Sequence, residues 1–250
     1  MALQRSTKKK KSIIDVDLFP GIAFYLIIVL TIIIRYDFHL RDSFLYTKHI
    51  DEWVATANLP RGETYPLLGL SLMSIPFRIL GYNALKGAVI VNVCLGEVVV
   101  IFIIKSARLI TKKKTYALLA GIITACNQSF VTFSTEALRE NSYLVCFSII
   151  IFCSMKIIMT HEAFFVSLLG LFSGLGMACR HEGIELLLFS TILIFYANKT
   201  NFKWKRVVKG WLNLLAFWIV GIIAATLISN NSIIRTVGLN YFVVFFNNHI

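Results

Sequence analysis

Charge is in short supply. Only 15% of the 250 residues are Asp, Glu, Lys or Arg, whereas a soluble domain carries about a quarter. Together with 57% hydrophobic residues and a mean hydropathy of +0.74, that deficit excludes an ordinary soluble domain. Acidic residues are scarcer than basic ones, 13 against 25, which leaves a formal charge of +12. The five cysteines, Cys94, Cys126, Cys146, Cys153 and Cys179, all lie in apolar segments, and no Cys-x-x-Cys pair occurs. They read as small buried hydrophobes, which excludes a disulfide framework or a cysteine metal site. No small-residue cleavage site follows the first apolar run, Leu18 to Ile34, and the run is too long for a signal-peptide core. Residues 1–17, with Lys8 to Lys11, therefore read as a basic cytoplasmic N-terminus ahead of a retained transmembrane helix.

What the chain has instead is apolar runs of roughly 20 residues, the length that crosses a bilayer. The runs are continuous, not alternating, which argues against a β-barrel. The expected fold class is an all-α polytopic membrane protein with about seven transmembrane helices, near residues 18–35, 86–104, 115–133, 137–157, 163–179, 184–197 and 211–229. Residues 18–229 form a single transmembrane module, and 230–250 an external tail. Residues 36–84 form a long external loop. Within it, 41–57 has a helical pattern. The stretch 66–81 is short for a span and contains Pro76 and Arg78, so it reads as an interfacial helix.

The positive charge first suggests nucleic acid, but its placement argues for a bilayer. Inward segments hold five basic residues at the N-terminus, five in 105–114, Lys156, and five in 199–209, which is 16 of the 25. This bias fixes the N-terminus in the cytoplasm. Treating 66–81 as a true span would put Lys112 to Lys114 outside and degrade the pattern. Nine of the 13 acidic residues fall outside: Asp37, Asp42, Asp51, Glu52, Glu63, Glu136, Glu140, Glu182 and Glu185. The rule for basic residues does not account for that acidic bias, whereas a catalytic outer face does.

Three outward clusters carry groups suited to chemistry: the stretch Arg35 to Tyr46, the turn around Glu136, and Arg180-His181-Glu182-Gly183. A carboxylate can act as general base toward a hydroxyl or amine. Lys or Arg can hold a phosphate leaving group. Each residue also has a plainer reading. Glu136 suits a helix N-terminus, Arg180 can anchor at the interface, and His181 can simply be solvated. Gly170 and Gly174 have the small-xxx-small spacing of a close helix contact. Glu97 lies mid-span, where a charge costs at least ~2.5 kcal/mol. It must be protonated or paired inside the bundle.

Five motifs then occur in order. Asp42-Ser43-Phe44-Leu45-Tyr46 follows the first helix. Tyr65-Pro66-Leu67-Leu68-Gly69-Leu70 opens the interfacial stretch. Lys86 opens the second span, and Thr135-Glu136-Ala137-Leu138 precedes the fourth. Gly170-Leu171-Phe172-Ser173-Gly174-Leu175-Gly176-Met177-Ala178-Cys179-Arg180-His181-Glu182-Gly183 closes the fifth. In this series the chain resembles the GT-C superfamily of polytopic glycosyltransferases, in the branch of the protein O-mannosyltransferases and the lipid A aminoarabinose transferase. It departs by one missing proline after Pro66, by Lys86 in place of arginine, and by Ala137 in place of proline.

The resemblance covers roughly residues 18–200. It implies a polyprenyl-phosphate sugar donor and transfer on the outer or lumenal face. It implies Asp42 as the base, Lys86 and Arg180 as donor-phosphate contacts, and Glu136 positioning the donor or a metal. Secondary candidates are Asp37, Tyr46, Arg41, His181 and Glu182. A divalent cation, Mg2+ or Mn2+, stays open as a cofactor. Family members usually carry a second half, so the chain reads as the common catalytic module alone; a membrane protein partner supplying the rest, a remnant, and a small module that suffices by itself all stay open. Two other readings stay open: a non-catalytic subunit binding a polyprenyl lipid or partner helices, and a small transporter. No inverted repeat or pair of broken helices in the sequence supports the transporter.

Overall fold

The computed structural model describes residues 18–35, 41–56, 68–160, 162–197 and 204–228. Among them the chain is helical, with no strand. The helices are α1 Phe19–Arg35, α2 Arg41–Thr56, α3 Leu68–Ile79, α4 Ala84–Thr111, α5 Lys114–Ala125, α6 Gln128–Thr135, α7 Glu140–Thr160, α8 Ala163–Cys179, α9 Ile184–Ala197 and α10 Trp204–Ile228, with a 3-10 turn at His181–Gly183. α4 and α7 are each long and apolar enough to cross a membrane. α5 and α6 meet that test as a pair bent by 64°, and α1, α8, α9 and α10 carry shorter apolar stretches. The protein is an all-α membrane protein.

Two helices organise the packing. α4 touches α1, α3, α5, α6 and α7, while α8 packs most extensively against α10 and α7. Gly170 and Gly221 make the α8–α10 contact. A Cβ on Gly170 would lie 2.3 Å from the Leu214 carbonyl oxygen, and one on Gly221 would lie 2.6 Å from that of Leu171 and 3.2 Å from the Gly174 Cα. The small-residue stripe is thus a helix-packing surface, as its spacing suggests. Three apolar clusters fill the interior. One joins α7 to α10, one joins α1, α4, α5 and α6, and one joins α2, α3 and α4 to Ala137 and Leu138.

The structure moves several expected boundaries. The segment 105–114 is not mainly a loop, because α4 runs on to Thr111. No breaker lies between Ile104 and Thr111, and Lys105 turns back over the Phe102 ring, 5.5 Å from its centroid. The helix stops only at Lys112, which is left-handed at φ 56°. The third span is broken: Asn127 caps α6 by accepting a hydrogen bond from the Phe130 amide at 3.0 Å, which fixes the bend. The sequence reading allowed for no broken helix. Two elements of the first loop match their expectation. α2 buries Ser43, Tyr46, Thr47 and Ile50, a spacing of three and four residues that puts them on one helical face, and exposes Asp42, Phe44, Lys48 and Asp51. α3 is short, contains Pro76, and is tied to α2 by Arg78 Nε donating to Asp51 at 2.6 Å.

Candidate functional site

The ends of six elements meet on one side of the bundle: the starts of α2, α4, α7 and α9 and the ends of α6 and α8. Turn chemistry places each. After α3, Gly81 adopts φ +90°, and the Tyr82 amide bonds back to the Phe77 carbonyl at 3.0 Å. Asn83 then caps α4 by accepting from the Leu85 amide at 2.8 Å, which sets Lys86, exposed, in the first turn of α4. At the end of α6, Glu136 leaves helical geometry at φ −108°, ψ 156°.

The turn bearing Glu136 is held from below. Asn92, fully buried in α4, donates both amide hydrogens, to the Glu136 carbonyl at 2.5 Å and the Leu138 carbonyl at 2.7 Å. Asn141 donates to the Asn92 carbonyl at 3.0 Å and to Ser134 Oγ at 3.1 Å. The Glu136 side chain is buried and accepts a hydrogen bond from Ser43 Oγ at 2.7 Å. Ser43 is the neighbour of Asp42, so this bond ties α2 to the turn. Asp42 itself is exposed in the first turn of α2, where its charge suits the helix N-terminus.

A second group adjoins the first. Arg180, in extended conformation after α8, donates Nε to Glu182 Oε2 at 3.0 Å and Nη2 to Oε1 at 2.8 Å. Its Nη1 lies 3.5 Å from Glu140, and its guanidinium sits 5.9 Å from the centroid of the Tyr143 ring. The Glu182 hydrogen bonds hold the Arg180 pKa above its usual value. Gly183 makes the turn possible, because a Cβ there would lie 2.3 Å from the Met177 amide nitrogen. Tyr46 links the two groups. Burial raises its phenol pKa, and the charges of Arg139, Glu140, Asp42 and Arg180 all act on it.

On its other side Glu136 lines a groove of about 1230 Å³ between α1, α4 and the bent α5–α6 pair. Lys86 lines it with Asn83, Thr135 and Glu136, at the start of α4 and the end of α6. The walls include Ile28, Ile33, Val89 and Val93. Lys86 has no ion-pair partner among the described residues.

The structure thus gathers Asp42, Tyr46, Glu136, Arg180 and Glu182 in one neighbourhood and links Lys86 to it through the groove shared with Glu136. Asp37 lies outside the described residues, as do the side chains of Arg41 and His181. Among the described residues no three His, Cys, Asp or Glu side chains form a group able to hold a metal ion. Glu97 is half-buried and makes no hydrogen bond or ion pair among the described residues, so of its two readings, protonated or paired, pairing finds no support there. Sequence reasoning passed over Ser43, Asn92 and Asn141. Asn92 was the detectable one: a carboxamide inside an apolar span, as unusual there as Glu97.

The described residues thus collect carboxylates and cations at one end of the helices, beside an apolar groove. Residues 64–229 match the family described as dolichyl-phosphate-mannose-protein mannosyltransferase. That span is more than half of the chain, and the chain belongs to this family, within the GT-C glycosyltransferases. The match includes Lys86, Glu136 and Arg180 and begins after Asp42 and Tyr46. No curated protein and no solved structure matches the chain.

Proposed function

We propose that the chain transfers a sugar from a polyprenyl-phosphate-linked donor to a hydroxyl- or amine-bearing acceptor on the outer or lumenal face of its membrane. The groove carries this reading: it pairs an apolar wall of membrane depth with one cation, Lys86, at the end where the ionic cluster lies. A polyprenyl phosphate has the matching form, a long apolar chain ending in an anion. The family supports the same donor class, since its description names a dolichyl-phosphate sugar.

In this scheme Asp42 takes the acceptor proton. The acceptor oxygen or nitrogen attacks the anomeric carbon, and the carbon–oxygen bond to phosphate breaks with inversion. The bond electrons leave with the polyprenyl phosphate, whose charge Lys86 holds. Glu136, fixed by Ser43 and Asn92, sets the spacing between Asp42 and the groove. Arg180 is a second phosphate contact on the far flank, with Glu140 and Glu182 orienting it.

The test is donor binding and transfer by the purified full chain in lipid nanodiscs, using a short-chain polyprenyl-phosphate mannose. Lys86→Gln is expected to raise the donor KM about tenfold or more, with Lys86→Arg restoring it. An unchanged KM in Lys86→Gln would remove the groove from the donor site.

A further inference from the structure

A second cavity, of about 910 Å³, opens at the opposite end of the bundle. It lies where the ends of α7 and α9 meet the starts of α8 and α10. Its walls include Ile157, Val166, Ile194 and Leu212, and Lys209 stands at its edge. In its wall, Asn213 Nδ2 donates to Ser167 Oγ at 2.8 Å, tying α10 to α8. Lys209 is exposed and has no ion-pair partner among the described residues.

Two further observations bear on what fits there. Tyr196 near the end of α9 and Trp211 near the start of α10 are both exposed, at 63% and 39%. Exposed Tyr and Trp at helix ends mark the headgroup layer of a bilayer, so Lys209 stands at that depth, with the apolar walls running inward from it. The charge around the cavity is also one-sided. In sequence, 199–209 leading into α10 holds five basic residues and no acidic one, and Lys156 lies in the last turns of α7.

We propose that this cavity holds an anionic phospholipid of the leaflet that faces the basic loops. Its phosphate lies against Lys209, and an acyl chain lies along Ile157, Val166, Ile194 and Leu212. The donor groove is lined by α1, α4, α5 and α6 and this cavity by α7, α8, α9 and α10, so this site does not depend on the glycosyltransferase reading. Cationic pockets between helices on the basic side of a membrane protein recognise such headgroups, with each Lys contributing about 1 kcal/mol near the surface.

The experiment is native mass spectrometry of the full chain released from nanodiscs of equal parts phosphatidylglycerol and phosphatidylcholine. The wild type is expected to retain phosphatidylglycerol preferentially. Lys209→Gln should lower that preference about fivefold, the equivalent of about 1 kcal/mol for one lysine. Lys209→Arg should keep it, and so should Lys112→Gln, which removes an exposed lysine elsewhere at this end. Circular dichroism of each variant confirms that the helices remain. Equal retention in wild type and Lys209→Gln would overturn the site. So would an equal loss in Lys209→Gln and Lys112→Gln, which would reduce the effect to general surface charge.

Discussion

Ser43 and Glu136 are joined by a 2.7 Å hydrogen bond across 93 residues of sequence, and both side chains are buried. The bond connects the amphipathic helix that carries Asp42 to the turn that faces the groove. A hydroxyl bonded to a buried carboxylate contributes about 1.5–3 kcal/mol. Ser43→Ala should therefore lower the unfolding midpoint of the detergent-solubilised chain by several degrees, and Ser43→Thr should recover most of the loss. An Ala variant as stable as the wild type would mean that α2 is held by its apolar face alone.

Asn92 is predicted to be the most sensitive position beneath the site. Asn92→Leu keeps the volume roughly constant but strands the carbonyls of Glu136 and Leu138, at about 1–3 kcal/mol for each group. Chemical denaturation should show a larger loss for Asn92→Leu than for Ser43→Ala. Transfer activity at permissive temperature should also fall, because the Glu136 turn loses its support.

Arg180 is held by a forked pair of bonds to Glu182 and by Glu140, a geometry that lysine cannot reproduce. The group is partly exposed, so solvent screening reduces the coupling to about 1 kcal/mol. A double-mutant cycle with Arg180→Gln and Glu182→Gln should give a coupling of that size. Arg180→Lys should behave like Arg180→Gln. Rescue by lysine would show that charge, not the fork, is what the turn requires.

The Tyr46 phenol has its pKa raised, chiefly by burial. A phenol that ionises later in the folded state than in the unfolded one stabilises the fold below the unfolded value, about 10. That contribution is lost as pH rises from there through the folded value. Stability followed from pH 9 upward should therefore fall, and the fall should be shallower in Tyr46→Phe. Identical alkaline limbs would mean that Tyr46 is open to solvent.

Much of this was legible in the chain. Apolar runs gave the membrane class, Phe44, Leu45, Ile50, Trp53 and Val54 interspersed with polar groups gave α2, although Phe44, Leu45 and Val54 lie on its exposed side, and the motif series pointed to the family. What the sequence hid was set by single side chains acting across the fold. The length of α4 depends on Lys105 and Arg108 staying helical at a membrane surface, where composition alone reads a loop. The break between α5 and α6 rests on one cap, Asn127, inside an otherwise continuous apolar run. Ser43, Asn92 and Asn141 are ordinary polar residues in sequence, and only their distant partners reveal their role.

In the proposed reaction Asp42 is the base of a lipid-linked sugar transfer. The most direct measurement is the single-turnover rate of transfer from a polyprenyl-phosphate sugar by wild type and Asp42→Asn, each in nanodiscs at matched occupancy. Asp42→Asn is expected to bind the donor as the wild type does and to transfer at least ~100-fold more slowly. Transfer at the wild-type rate by Asp42→Asn would contradict this assignment.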